Sequence, residues 1–131
     1  MIRVRFEKTL IPCVVNDAIL WHLKHGWVWD AVEVLSGRRY AVLYCTLLCG
    51  DGCIIHFETV PGTPVSYLFL LSGMRRAMRM IAPVCDVIYA TIPEEKQKLI
   101  RVAERLGFRK TDAGFMRDGL NICMLKYLNC V

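Results

Sequence analysis

A single mixed, mostly antiparallel sheet of about six to seven strands, flanked by three to four helices, is the fold the sequence predicts. Three observations lead there. Short runs alternate apolar and polar residues, as half-buried strands do. Two apolar runs flank Gly50, Asp51 and Gly52, a strong hairpin signal. Two amphipathic stretches enclose one continuous apolar run, Cys85 to Ile92, which reads as a buried strand between helices. With 131 residues, 55% of them hydrophobic, the chain builds one core, so residues 1–131 are read as one domain.

Taken in order, Ile2 to Phe6 alternates Ile, Val and Phe with Arg and reads as a strand. Asn16 to about Lys24 reads as a short helix capped by Asn16. A second strand covers part of Val28 to Leu35, and Ser36 with Gly37 turns the chain. Tyr40 to Cys49 and Cys53 to Val60 form the antiparallel hairpin strands. Pro61, Gly62 and Pro64 close that hairpin, and a long helix runs from about Val65 to Ile81, with Leu70, Met74, Ala77 and Ile81 inward and Pro83 ending it. After the strand Cys85 to Ile92, Pro93 with Glu94 and Glu95 is expected to open a third helix, its acids at the positive end. Leu99, Ala103 and Leu106 face inward and Gly107 stops it. Phe115 to Arg117, a turn at Asp118 and Gly119, and Leu120 to Leu128 complete the sheet.

Composition excludes several function classes. The longest apolar-rich run, Val65 to Met74, is far short of the roughly 20 residues of a membrane span. The start MIRVRFEK lacks a secretory leader's long apolar stretch, so a cytoplasmic chain is expected. Seven cysteines, an odd number without framework spacing, are expected to be free thiols. Cys45, Cys49 and Cys53 match no zinc or iron–sulfur spacing, and His22 with His25 lack a third ligand nearby, so no metal is expected. The net charge of +5 concentrates between Met74 and Lys110, with nine Lys or Arg against four Asp or Glu. Such a surplus attracts phosphate or forms the solvated faces of two helices. Nucleic-acid binding lacks interleaved aromatics or a known module.

The segment CDVIYATIPEEKQKLIRVAERLGFRKT, Cys85 to Thr111, resembles the second half of a GNAT N-acetyltransferase: buried strand, helix, and a Gly-Phe pair before a hairpin. The element order agrees along nearly the whole chain. The chain is also similar to small divergent acetyltransferase-like proteins encoded by tailed bacteriophages among their head and tail genes, through its short length and its layout from TVPGTP to AERLGF.

The GNAT resemblance implies acetyl-CoA as cofactor, an amine acceptor, and direct attack of the amine on the thioester. It places the pyrophosphate at the entrance of the central helix, here Val60, Gly62, Thr63, Val65 and Ser66, with Lys96 where the family has an asparagine. The base would be Glu58, with His56 two residues earlier on the same strand face as alternative or assistant. Two departures stand out. VPGTPVSYLF replaces the family's R/Q-x-x-G-x-G/A signature, and Pro64 cannot donate an N–H, so cofactor binding is expected to be weak or lost. Ala103 occupies the place of the family's tyrosine acid, leaving Tyr89 on the neighbouring strand, or water, to protonate the thiolate. Two function classes therefore stand. One is an acetyltransferase, weakened or inactive. The other is a non-catalytic protein of a phage particle that keeps the fold as a scaffold and contacts a phage structural partner through Trp21, Trp27 and Trp29 or the basic helices.

Overall fold

The computed structural model describes residues 3–48, 52–62 and 65–128. Its elements follow the expected order: β1 Val4–Lys8, α1 Asp17–His25, β2 Trp27–Glu33, β3 Arg39–Leu47, β4 Gly52–Thr59, α2 Tyr67–Ile81, β5 Val87–Pro93, α3 Gln97–Arg105, β6 Arg109–Arg117 and β7 Leu120–Leu128. The seven strands form one sheet in the order β1-β2-β3-β4-β5-β7-β6. The pairs are antiparallel except β4 with β5, which run parallel.

The strand period of two divides the sheet's side chains between two cores. On one face Leu43, Ile55, Ile88, Ala90 and Leu125 pack against Leu70, Met74 and Ala77 of α2 and Ile100 and Ala103 of α3, with Phe108 wholly buried beside them. On the other face Val28, Val42 and Tyr44 receive Ile19 of α1. The alternation in β7, a strand internal to the sheet, is thus an alternation between two faces, as its sequence implies. The last turn is as expected: Asp118 and Gly119 both have positive φ, 53° and 76°, the backbone a two-residue hairpin requires. The Gly50-Asp51-Gly52 turn lies mostly outside the described residues, but the register it sets is visible, with Leu47 opposite Cys53 and Tyr44 opposite His56.

Some expectations need correction. Pro93 ends β5 rather than opening α3: it pairs with Ile122, and the N–H of Glu94 donates to the Asn121 carbonyl at 2.8 Å. Sheet hydrogen bonding thus carries the chain past the proline, and α3 starts at Gln97 with neither Glu94 nor Glu95 in its first turn. β6 is longer than Phe115 to Arg117, because pairing with β7 recruits Arg109 and Lys110 across an irregularity before Gly114. Trp27 and Trp29 are not exposed; both are half-buried against the main core, and only Trp21 is half exposed. His22 is buried. Cys45, Cys53 and Cys85 are free thiols buried together in the main core. Cys49 and Cys130 lie outside the described residues. No helix among the described residues is long and apolar enough to cross a membrane.

The junction of α1 and β2 depends on absent volume. A Cβ built on Gly26 would stand 2.5 Å from the Cys45 carbonyl oxygen of β3, a rigid backbone atom. Gly26→Ala is therefore expected to lower unfolding free energy by about 2 kcal/mol or more in urea titration. A loss below about 0.5 kcal/mol would show that α1 and β3 separate freely.

Candidate functional site

β4 and β5 are hydrogen-bonded only from Gly52 opposite Val87 to Ile55 opposite Ala90. Beyond that point each stays paired on its outer side, β4 to β3 as far as Thr59 and β5 to β7 as far as Pro93, while the two diverge from each other. The wedge between them is a cleft of about 600 Å³, counted to its open mouth. Met74 of α2 and Leu99 of α3 form its apolar side, and Lys96 stands where α3 begins. Tyr44, His56, Glu58, Thr91 and Arg117 form its polar side.

The polar side is organised by α1, β3, β4 and β5. α1 opens with Asn16, whose Oδ1 accepts from the N–H of Ile19 at 2.8 Å, the expected cap. The same side chain's Nδ2 donates to Glu58 Oε2 at 2.6 Å, and the Tyr44 hydroxyl donates to Glu58 Oε1 at 3.4 Å. Both carboxylate oxygens are therefore oriented by neutral donors. His56 stacks on the Tyr44 ring, centroids 4.8 Å apart, and its Nδ1 lies 2.9 Å from the Thr91 hydroxyl across the head of the cleft. Burial, with the nearby His22 and Arg117, lowers the His56 pKa from 6.5 to about 4, so its ring is neutral at pH 7. Burial and the Glu58 charge push the Tyr44 hydroxyl well above its ordinary value. His22 continues the aromatic row behind Tyr44 at 4.8 Å. Its Nδ1 donates to the Ala18 carbonyl, and its Nε2 meets the Thr46 hydroxyl.

The sequence candidates separate into three groups. Glu58, His56 and Lys96 do share the cleft. Tyr89 does not. It lies earlier in β5 beside Leu48, Ile54 and Met124, with the Lys126 ammonium 5.9 Å from its ring. Val60, Gly62, Val65 and Ser66 lead into α2. Val60 donates to the Tyr40 carbonyl, Gly62 adopts φ 76°, and Ser66 caps the helix through the N–H of Phe69 at 3.2 Å. Val65 lines a second groove, with Thr59, Lys96 and Leu99, between the starts of α2 and α3. Thr63 and Pro64 lie outside the described residues. Ala103 is fully buried in the core, and α3 shows the cleft only Lys96 and Leu99. Asn16's second bond, Tyr44, Thr91 and Arg117 were not singled out from sequence. A signal for Tyr44 existed, since a hairpin turning near residue 50 puts it opposite His56.

No protein-family model matches the sequence, and no curated protein matches it. Among solved structures the chain is similar to an IAA acetyltransferase from Bacillus cereus, with a TM-score of 0.71, 11% identity, and 95% of this chain and 99% of that one covered. It is similar to the spermidine/spermine N-acetyltransferase SpeG from Vibrio cholerae, with a TM-score of 0.69, 11% identity, and 97% and 93% covered. It is also similar to yncA from Salmonella typhimurium, solved with its cofactor acetyl-CoA, with a TM-score of 0.68, 15% identity, and 88% and 75% covered. The chain has the GNAT acetyltransferase fold. At these identities the likeness establishes the fold alone, and it carries nothing about a phage source.

Two outcomes follow from the geometry. An unfolded His56 takes up its proton near pH 6.5 and the folded one only near 4, so between these values the unfolded state binds more protons. This contribution to stability is complete above pH 6.5 and is lost as pH falls to 4, by roughly 3 kcal/mol at most. Unfolding titrations from pH 7 to 4 should show a steeper loss for the native chain than for His56→Gln; parallel curves would contradict a neutral His56. Asn16→Ser retains a cap and Asn16→Ala does not, while both lose the amide on Glu58. Asn16→Ala should therefore be the less stable by about 1 kcal/mol in urea unfolding, and equal stabilities would remove Asn16 as the cap.

Proposed function

We propose that this protein is an acyl-CoA N-acyltransferase, transferring an acetyl group to an amine held at the polar side of the β4–β5 cleft. The observation that carries the reading is the cleft itself: two neighbouring strands stop pairing just where Glu58, oriented from two sides, lines the opening. Backbone groups that lose their strand partner in this wedge need another one. An extended amide-bearing arm supplies such a partner, and Met74 and Leu99 give it an apolar wall.

The residues fit acetyl-CoA. The N–H groups of Tyr67 and Leu68 in the first turn of α2 lie ahead of the one that Ser66 caps, and with the helix dipole they favour a pyrophosphate. Lys96 borders both the cleft and the groove that leads to α2, which suits a phosphate or the ligand's polar arm. When bound, acetyl-CoA supplies an activated thioester. Glu58 accepts the proton of the incoming ammonium, directly or through a water, so that the free amine attacks. His56, kept neutral, adds no charge to repel that ammonium and orients a water or the amine through hydrogen bonding. Tyr89 lies outside the cleft, so the departing thiolate takes its proton from water.

Binding and turnover test the reading separately. The melting temperature should rise with acetyl-CoA concentration. Acetylation of small amines should fall by about a hundredfold or more in Glu58→Gln. No thermal shift at millimolar acetyl-CoA would refute cofactor binding, and turnover indifferent to Glu58→Gln would remove the base.

A further inference from the structure

Among the residues lining the cleft there are three formal charges at pH 7, and two of them are positive: Lys96, Arg117 and Glu58. Lys96 borders the groove toward α2 as well. Arg117 does not. It is the last residue of β6, pairing with Leu120 across the Asp118–Gly119 turn. β7 is bonded to β5 as far as Ile122 opposite Pro93, so the tip of this hairpin sits just past the end of β5, at the mouth of the wedge. From there the guanidinium charge bears on the hydroxyl of Tyr44 and on the His56 ring. None of the ion pairs among the described residues involves Arg117. The Phe115 ring lies 5.8 Å from its guanidinium carbon.

Resting on the acyltransferase reading, we propose that the acceptor is an amine that also carries a carboxylate, an amino-acid-like molecule whose carboxylate is received by Arg117 while its amine faces Glu58. The charge balance argues for it. A polyamine would bring several positive charges to a cleft that already holds two against one. An amino acid brings one of each sign, and each meets its opposite. Glu58 is engaged only by the neutral groups of Asn16 and Tyr44, so its charge remains available to an ammonium. Arginine presents a planar fork of N–H donors that matches a carboxylate with two parallel hydrogen bonds, and an exposed position on a tight hairpin leaves that fork free to close on a ligand. Arg117 would thus set specificity, and its effect belongs to acceptor affinity rather than to the chemical step.

Matched pairs isolate the carboxylate: glycine, methionine, β-alanine and 5-aminopentanoate, each against its own amide, with spermidine as the polycation and O-phosphoethanolamine as the phosphate-bearing amine. Binding to the full chain is measured by calorimetry, and kcat and KM by thiol release from acetyl-CoA, for the native protein and Arg117→Gln. The expected result is at least one acid favoured over its amide by about tenfold or more in Kd or KM, with that preference removed in Arg117→Gln and the melting temperature unchanged. The proposal is overturned if no acid binds, if every amide equals its acid, if spermidine or O-phosphoethanolamine is preferred, or if the preference survives Arg117→Gln. A parallel thermal shift with CoA keeps the two readings apart. A CoA shift without any acid preference would sink this proposal alone, whereas its absence would sink the acyltransferase reading.

Discussion

The parallel contact of β4 with β5, in a sheet whose other contacts are antiparallel, ends at Ile55 opposite Ala90. A parallel pair cannot be joined by a tight turn, so the chain must cross over the sheet, and α2 is that crossover. The helix then packs Leu70, Met74 and Ala77 on the strands it connects. Both strands remain anchored on their outer sides after they part, which keeps the wedge open against collapse. The cleft and the part of its apolar wall that α2 supplies follow from this one connection.

On the opposite face the start of α1 is tied to Glu58 through the Asn16 side chain. Asn16 caps the helix with its oxygen and orients Glu58 with its nitrogen, so the start of α1 and the carboxylate cannot be placed independently. A second anchor lies just upstream. Asp30, almost wholly buried in β2, accepts from the N–H of Cys13 at 3.0 Å and from Arg39 at 3.1 Å. Breaking such a buried, hydrogen-bonded charge from its partners is costly, which gives the segment between β1 and α1 a fixed course. The burial and the Asp30 charge also push the Cys13 thiol up to about 11, so it stays protonated near neutral pH.

The cleft's electrostatics are made by burial as much as by charge. His56 is neutral because its ring is buried, with His22 and Arg117 disfavouring further charge. Glu58 consequently supplies the negative charge on the cleft's lining, and the cations flank it from two different elements, α3 and β6.

The sequence by itself determined the element order, the Asp118–Gly119 turn and the inward face of α2, because these depend on local chemistry: strand and helix periods, glycines at turns, and a proline-closed loop. It also marked Glu58, His56 and Lys96, one face of one strand and the start of one helix. Tertiary structure decided what no local pattern holds. Tyr89 and Glu58 share a sheet face by alternation, yet the wedge opens beyond Ala90 and leaves Tyr89 outside it. Pro93 reads locally as a helix start, but pairing with β7 keeps it in the sheet. Arg117 is seventy-three residues from Tyr44 in the chain and shares a cleft with it only because the strand order returns β7 beside β5 and turns the β6–β7 hairpin over the wedge. Contacts between distant segments are set by which strand pairs with which, and that choice is made by the whole core rather than by the residues that meet.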